Sequence, residues 1–212
     1  SSEMKAQGVD VINMSVGEPD FMTPEPIKEA GKKAIDDNFS KYSPVSGYPA
    51  LRNAISKKLK AENGLDYAAS EIIVGTGGKQ GVCNAIMALV NPGDEVIIPA
   101  PYWVSYPQMV KLAGGNPVII SAGIEQDFKI TAAQLEASIT PKTKMIILCS
   151  PSNPTGSVYT KAELDELAKV VISHEDVFVL SDEIYEHINY IGKHASICLL
   201  YTSDAADDLL CV

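Results

Sequence analysis

Short apolar runs recur along this chain, and a stretch of helical periodicity separates most of them. Ile72-Ile73-Val74, Val96-Ile97-Ile98, Val118-Ile119-Ile120, Met145 to Leu148 and Val177 to Leu180 read as strands. The unbroken apolarity of Met145 to Leu148 predicts burial on both faces. Between the runs, Lys79 to Val90 puts Val82, Ala85, Ile86 and Leu89 on one helical side, and Val104 to Ala113 reads as a second helix. Thr131 caps a helix to about residue 138, and Thr160-Lys161-Ala162-Glu163 is a capping box opening one to about residue 173. Strands alternating with helices predict parallel pairing through right-handed crossovers, which defines an α/β fold. Upstream, Leu51, Ile55 and Leu59 mark a helix over 48–63 ending at Gly64, and Ile27, Ala30, Ala34 and Ile35 a shorter one. From Cys198 to Val212 the pattern continues neither a strand nor a helix–strand unit.

At 212 residues the chain can bury about 70% of its unfolded surface, enough for one large domain. A net charge of −10 argues against nucleic acid and against an anionic membrane surface as partners. Cys83, Cys149, Cys198 and Cys211 form no CxxC pair and no metal spacing with His174, His187 or His194. Reduced thiols, no metal and a cytoplasmic setting are the expectation. No run of about 18 apolar residues and no signal-peptide pattern is present.

The chemistry sits in the turns after the strands. Gly75-Thr76-Gly77-Gly78-Lys79-Gln80 joins a strand to a helix, where glycines admit an anion to free N–H groups at a positive helix end. A nucleotide P-loop would need Ser or Thr after Lys79, where Gln80 stands. A dinucleotide turn would need GxGxxG, and Gly75, Gly77 and Gly81 miss the last spacing. A glycine-rich turn with no ligand stays open on these residues alone. Trp103, the chain's one tryptophan, follows the second strand and is placed to stack on a flat ligand or to pack in the core. Asn153 lies on a loop stiffened by Pro151 and Pro154. Asp182 and Tyr185 follow the last strand. Carboxyl ends of strands face the ligand crevice in an open α/β sheet. There an acid facing a ring nitrogen, with an amide and a phenol sharing a ring oxygen, would hold one planar heteroaromatic group.

Together these residues resemble the class I/II pyridoxal-phosphate-dependent aminotransferases of fold type I, nearest the bacterial aspartate and aromatic branch. The resemblance runs from about Asn13 to Ile197. It implies a three-layer α/β sandwich around a mainly parallel sheet, the large cofactor-binding domain, incomplete at both ends. It divides the chain into an N-terminal segment and substrate loop over 1–45, a large domain over 46–197, and a tail outside the family pattern over 198–212. Val16-Gly17-Glu18-Pro19-Asp20-Phe21 resembles the substrate loop, and Lys41 to Pro49 the segment whose tyrosine, here Tyr42, reaches the partner subunit's phosphate. The implied cofactor contacts are Gly77, Gly78 and Lys79 on the phosphate, and Trp103 on the ring face. Asn153 and Tyr185 fall on the phenolate oxygen and Asp182 on the ring nitrogen. Gly17, Trp103 and Asn153 would meet the substrate.

The implied reaction is ping-pong: an L-amino acid leaves its amino group on pyridoxal 5′-phosphate, and a 2-oxo acid takes it up. The implied assembly is a homodimer. Asp182 and Tyr185 assist through the ring, while the lysine that carries the cofactor is expected just past Val212, so no turnover is expected from these 212 residues alone. A lyase or decarboxylase on the same fold, or a non-catalytic module binding a phosphorylated ligand, are the alternatives.

Overall fold

The computed structural model describes residues 2–12, 17, 21–201 and 209–211. The chain divides into two compact units, Ser1–Ser43 and Pro44–Val212.

The N-terminal unit carries α1 (Ser2–Ala6) and α2 (Glu25–Asp36). Pro24 and Pro26 bracket the start of α2, where the missing N–H costs no helical bond. Its surface is laced by Lys28–Glu25, Lys32–Glu29 and Lys33–Asp37 pairs, each exposed and worth little alone.

The second unit opens with α3 (Pro49–Lys58), which continues as a π-helical turn over Leu59–Asn63. Gly64 ends it at φ +75°, the left-handed position expected of it. Then follow α4 (Gly78–Leu89), β1 (Glu95–Ala100), α5 (Tyr106–Leu112), β2 (Asn116–Ser121), α6 (Ala132–Glu136), β3 (Thr143–Cys149), α7 (Lys161–Ile172), β4 (Phe178–Asp182), α8 (Cys198–Tyr201) and β5 (Leu209–Cys211). All strand pairs are parallel, in the order β2-β1-β3-β4-β5. This is the α/β architecture that the alternating runs predict.

Strand alternation sorts the core into two layers. Val96 and Ile98 of β1 and Met145 and Ile147 of β3 pack with Val82 and Ile86 of α4 and Met109 and Val110 of α5. Ile97, Ile146, Leu148 and Val179 point the other way, onto Leu135 of α6 and Leu164, Leu167 and Val171 of α7. Each fully buried aliphatic side chain contributes about 1.5–3 kcal/mol. Both expected caps form: Thr131 Oγ1 accepts from Gln134 N–H at 3.2 Å, and Thr160 Oγ1 accepts from Glu163 N–H at 3.3 Å.

Three expectations need correction. Ile72-Ile73-Val74 is extended but joins no sheet among the described residues. Val74 N–H donates to Ser46 C=O at 3.1 Å, and Ile73 is 76% exposed, so the triplet has apolar character without a strand neighbour. The tail does supply structure, because α8 and β5 fall within 198–211 and β5 pairs with β4 through Val179, Leu180 and Ser181. Finally, Cys198 is disulfide-bonded, against the expectation of reduced thiols throughout, while Cys83 and Cys149 are free. Among the described residues, no helix is long and apolar enough to cross a membrane.

Candidate functional site

The turn before α4 is built by one backbone conformation. Gly77 is the N-cap at φ +86°, ψ 157°, a region that only glycine enters freely. Its carbonyl accepts from Gln80 N–H at 3.1 Å and Gly81 N–H at 3.3 Å, which starts the helix. Gln80 Oε1 accepts from Thr76 N–H and braces the turn from within. No side chain caps α4, so the N–H groups of Gly78 and Lys79 are left for an anion. The Lys79 ammonium lies over the Trp103 ring, 4.9 Å from its centroid. That is a cation–π contact, and it leaves the backbone N–H as the part of Lys79 that faces the turn.

Trp103, Asn153 and Asp182 follow or end β1, β3 and β4, which are neighbours in the sheet. Asp182 stands directly opposite Cys149 in the β3–β4 register, four residues before Asn153. Asp182 is 7% exposed. Oδ2 accepts from the Tyr106 hydroxyl at 2.6 Å, and Oδ1 from Ile184 N–H at 3.3 Å. Both donors are neutral, and among the described residues no cationic side chain pairs with this carboxylate. The Tyr106 ring stands edge-on to Trp103 at 5.4 Å and 87°. Tyr106 thus connects the indole to the acid. Burial, with the nearby Cys149 and Asp182, raises the phenol far above its ordinary range, so it keeps its proton and stays a donor.

Cys149 is raised as well, first by burial and then by the Asp182 charge. The nearby Asn153 N–H and Tyr106 hydroxyl partly offset this. Its thiol donates to Pro151 C=O at 3.4 Å. The loop beyond it is closed by Ser152 N–H to Ser157 C=O and Gly156 N–H to Ser152 C=O, both 2.9 Å. The side-chain amide of Asn153 and the hydroxyl of Tyr185 are half-buried and bond to no described residue. A hollow of about 20 Å³ beside Tyr102, Tyr106, Cys149 and Ser152 has room for one water and not for a ring.

The Asp182–Tyr185 turn is clasped from below. Glu183 accepts from Ser181 Oγ at 2.7 Å and Ser196 Oγ at 2.6 Å, and its other oxygen meets His194 Nε2 at 2.8 Å. Glu186 binds Lys58 and Asn63, tying the turn to α3 and the π-helical turn after it. Burial opposes ionisation of Glu186, but the Lys58 and Asn63 bonds outweigh it and hold its carboxyl below the usual range. Ligand atoms of Glu183, Glu186 and His194 lie within 4.8 Å of one another. Donors already engage both carboxylates, so the group acts as a clasp.

The structure therefore brings Gly77, Gly78, Lys79, Trp103 and Asp182 around one end of the sheet, with the Asn153 loop and the Tyr185 turn beside them. A Cβ on Gly78 would lie 4.0 Å from Ile184 Cδ1, which places the glycine turn against the Asp182–Tyr185 turn. Tyr42 belongs to the N-terminal unit, where its side chain is fully exposed. Gly17 lies in the same unit. Of the expected substrate loop, Val16 and Glu18 to Asp20 fall outside the described residues. Sequence reasoning missed Tyr106, Cys149 and Glu183 as site builders. A buried tyrosine needs a partner for its hydroxyl, and Tyr106 three residues after Trp103 was the signal available.

A parallel α/β sheet flanked by helices, with a glycine turn, an indole and a buried acid at its strand ends, matches the fold of the fold-type-I aminotransferases. The model of the aminotransferase class I and II family matches residues 9–212, and the chain belongs to that family. Among its relatives is the aspartate/prephenate aminotransferase of Cereibacter sphaeroides. It is 57% identical over 186 residues, which are 88% of this chain and 46% of the relative. The aspartate aminotransferase of Bacillus sp. strain YM-2 is 52% identical over 198 residues, 93% of this chain and 50% of that protein. The aspartate aminotransferase from Thermus thermophilus with maleate superposes with a TM-score of 0.93 at 44% identity, covering 99% of this chain and 54% of that one. The enzyme from Rhizobium meliloti does so with 0.90 at 46%, covering 94% and 50%. The chain spans about half the length of the curated relatives it matches.

Proposed function

We propose that the protein transfers the amino group of an L-amino acid to a 2-oxo acid with pyridoxal 5′-phosphate as cofactor. The observation that carries this reading is Asp182, a buried carboxylate with two neutral donors and no cation among the described residues. A buried charge without a counter-charge is costly, and a protonated ring nitrogen would relieve it. The other groups fit the same guest. Gly77 shapes the turn whose N–H groups at Gly78 and Lys79 would take the phosphate, and Trp103 offers a ring face. The unengaged amide of Asn153 and hydroxyl of Tyr185 would share the ring oxygen. Tyr42 would reach the phosphate of a partner subunit in a homodimer, and Gly17, Trp103 and Asn153 would meet the substrate.

Bound there, the cofactor supplies an electron sink for the charge left when a substrate Cα–H bond breaks. The chain's own part is to bind, orient and hold protons: Asp182 stabilises the proton on the ring nitrogen, and the Tyr106 hydroxyl holds Asp182 in place. The relatives named for aspartate and prephenate make a dicarboxylic donor the first to test. A cytoplasmic setting agrees with the metabolic role of such a reaction.

The test is cofactor titration of the natural full-length polypeptide, followed by absorbance, with oxo-acid production from aspartate as the second readout. Asp182→Asn keeps the size and leaves an oxygen for the Tyr106 hydroxyl, so the fold should persist. The lost charge-assisted bond should weaken cofactor binding about 10- to 100-fold. Unaltered cofactor absorbance on titration of the unsubstituted protein would refute the reading.

A further inference from the structure

We propose that Tyr106 and Cys149 form a positioning pair that locks together the two ring-edge elements of the site, the Asp182 carboxylate and the Asn153 loop. The pair is a row of buried contacts. The Tyr106 hydroxyl donates to Asp182 Oδ2 at 2.6 Å, and Tyr106 lies beside Cys149 on the wall of one hollow. Cys149 in turn donates to Pro151 C=O at 3.4 Å, at the start of the loop that carries Asn153. The row therefore runs from the loop that presents the Asn153 amide to the acid at the end of β4. Tyr106 is 2% exposed, so bulk solvent is kept from its side chain. Its ring edge against Trp103 at 5.4 Å extends the same row to the ring-stacking indole.

Three groups that must meet one planar guest come from three strands, and each needs a fixed angle. Without the Tyr106 hydroxyl, only the longer Ile184 N–H bond at 3.3 Å would hold the carboxylate of Asp182. The Tyr106 bond fixes Oδ2 and leaves the remaining lone pairs of Asp182 to face a ring nitrogen. Cys149 sits where β3 leaves the sheet, opposite Asp182 in register, so any shift of the Asn153 loop is felt at Tyr106. The thiol keeps its proton because burial and the Asp182 charge raise it, so this row carries no second negative charge.

This role rests on the proposed cofactor reading, and the experiment separates the two. In the full-length protein, Tyr106→Phe keeps the ring edge on Trp103 and deletes only the hydroxyl. Cofactor affinity should fall about tenfold, and the absorbance band of the bound cofactor should shift. In the cofactor-free protein, Tyr106→Phe should lower the unfolding temperature. That loss should vanish in an Asp182→Leu background, where the hydroxyl has no carboxylate to serve. Should Tyr106→Phe not fold, Cys149→Ala is expected to weaken the cofactor about threefold and Cys149→Ser to restore it. Wild-type affinity and spectrum in Tyr106→Phe, or in Cys149→Ala, overturn the proposal. If the unsubstituted protein takes up no cofactor, the reading of function falls, and the unfolding cycle alone decides whether Tyr106 and Asp182 act as a unit.

Discussion

Replacing Gly77 by alanine isolates the backbone strain in the strand–helix turn. Gly77 sits at φ +86°, ψ 157°, a conformation that L side chains rarely adopt. A Cβ there would meet nothing within 4 Å, so sterics with neighbours contribute no penalty. The cost is conformational alone, about 1–3 kcal/mol for a residue held in this region. Gly78 supplies the control one residue on. It is helical, and its Cβ would rest 4.0 Å from Ile184 Cδ1, an ordinary contact. Alanine at a helical position is favoured over glycine by about 0.5–1 kcal/mol, so Gly78→Ala should not lose stability. Its methyl would nevertheless stand beside the first free N–H groups of α4. The two variants should therefore separate cleanly. In urea unfolding of the cofactor-free full-length protein, Gly77→Ala should lose about 1–3 kcal/mol and Gly78→Ala nothing. In phosphate or cofactor titration, both should bind more weakly. Equal stability of Gly77→Ala and the unsubstituted protein would refute the strain argument, and undiminished anion binding by Gly78→Ala would refute the cradle.

Two further predictions concern the frame behind the site. Leu167 is 1% exposed in the layer where α7 packs on β3 and β4, and Leu167→Ala should cost about 2–5 kcal/mol in the same unfolding assay. Glu163 titrates below the usual carboxylate range: burial pushes it up, but bonds from Lys129 and Thr160 outweigh this. A depressed folded-state value contributes stability that is present above the unfolded value and lost as pH falls through the folded one. Glu163→Gln should therefore be less stable than the unsubstituted protein at neutral pH. The gap should close well below the ordinary carboxylate value of about 4. A gap of constant size across that window, in unfolding followed by circular dichroism, would refute the assignment.

Much of this fold was legible because the local signals agree with the tertiary outcome. The unbroken run Met145 to Leu148 does alternate between two buried layers, and Thr160-Lys161-Ala162-Glu163 does cap α7. The misreadings arise where a short segment depends on a neighbour that the sequence does not reveal. Ile72-Ile73-Val74 has the composition of a strand but bonds to Ser46. Leu209-Leu210-Cys211 looks isolated yet finds the edge of β4. The site divides in the same way. Trp103, Asn153 and Asp182 stand out because each follows an apolar run, a one-dimensional cue. Tyr106 and Asp182 are 76 residues apart, and no spacing rule joins them. Glu183 was hidden by strand geometry: it is adjacent to Asp182 in sequence but reaches Ser181, Ser196 and His194 in the clasp.

The separations have an energetic consequence. The glycine turn, the indole, the amide and the acid are carried on α4 and after β1, β3 and β4, and no two successive elements hold enough of them to bind a ring. Only the paired sheet brings these groups together, through the Cys149–Asp182 register and the Tyr106 bond. Binding of the proposed planar phosphorylated ligand would thus be available to the folded sheet and not to the unfolded chain. It should stabilise the fold by mass action, about 2.7 kcal/mol at a ligand concentration one hundred times the dissociation constant. The same linkage makes Tyr106 matter twice. Without ligand its hydroxyl satisfies a buried carboxylate, and with the proposed ligand it would fix the direction in which that carboxylate meets the ring. A substitution that spared the first role and damaged the second would show as unchanged unfolding without cofactor but a smaller rise in unfolding temperature with it.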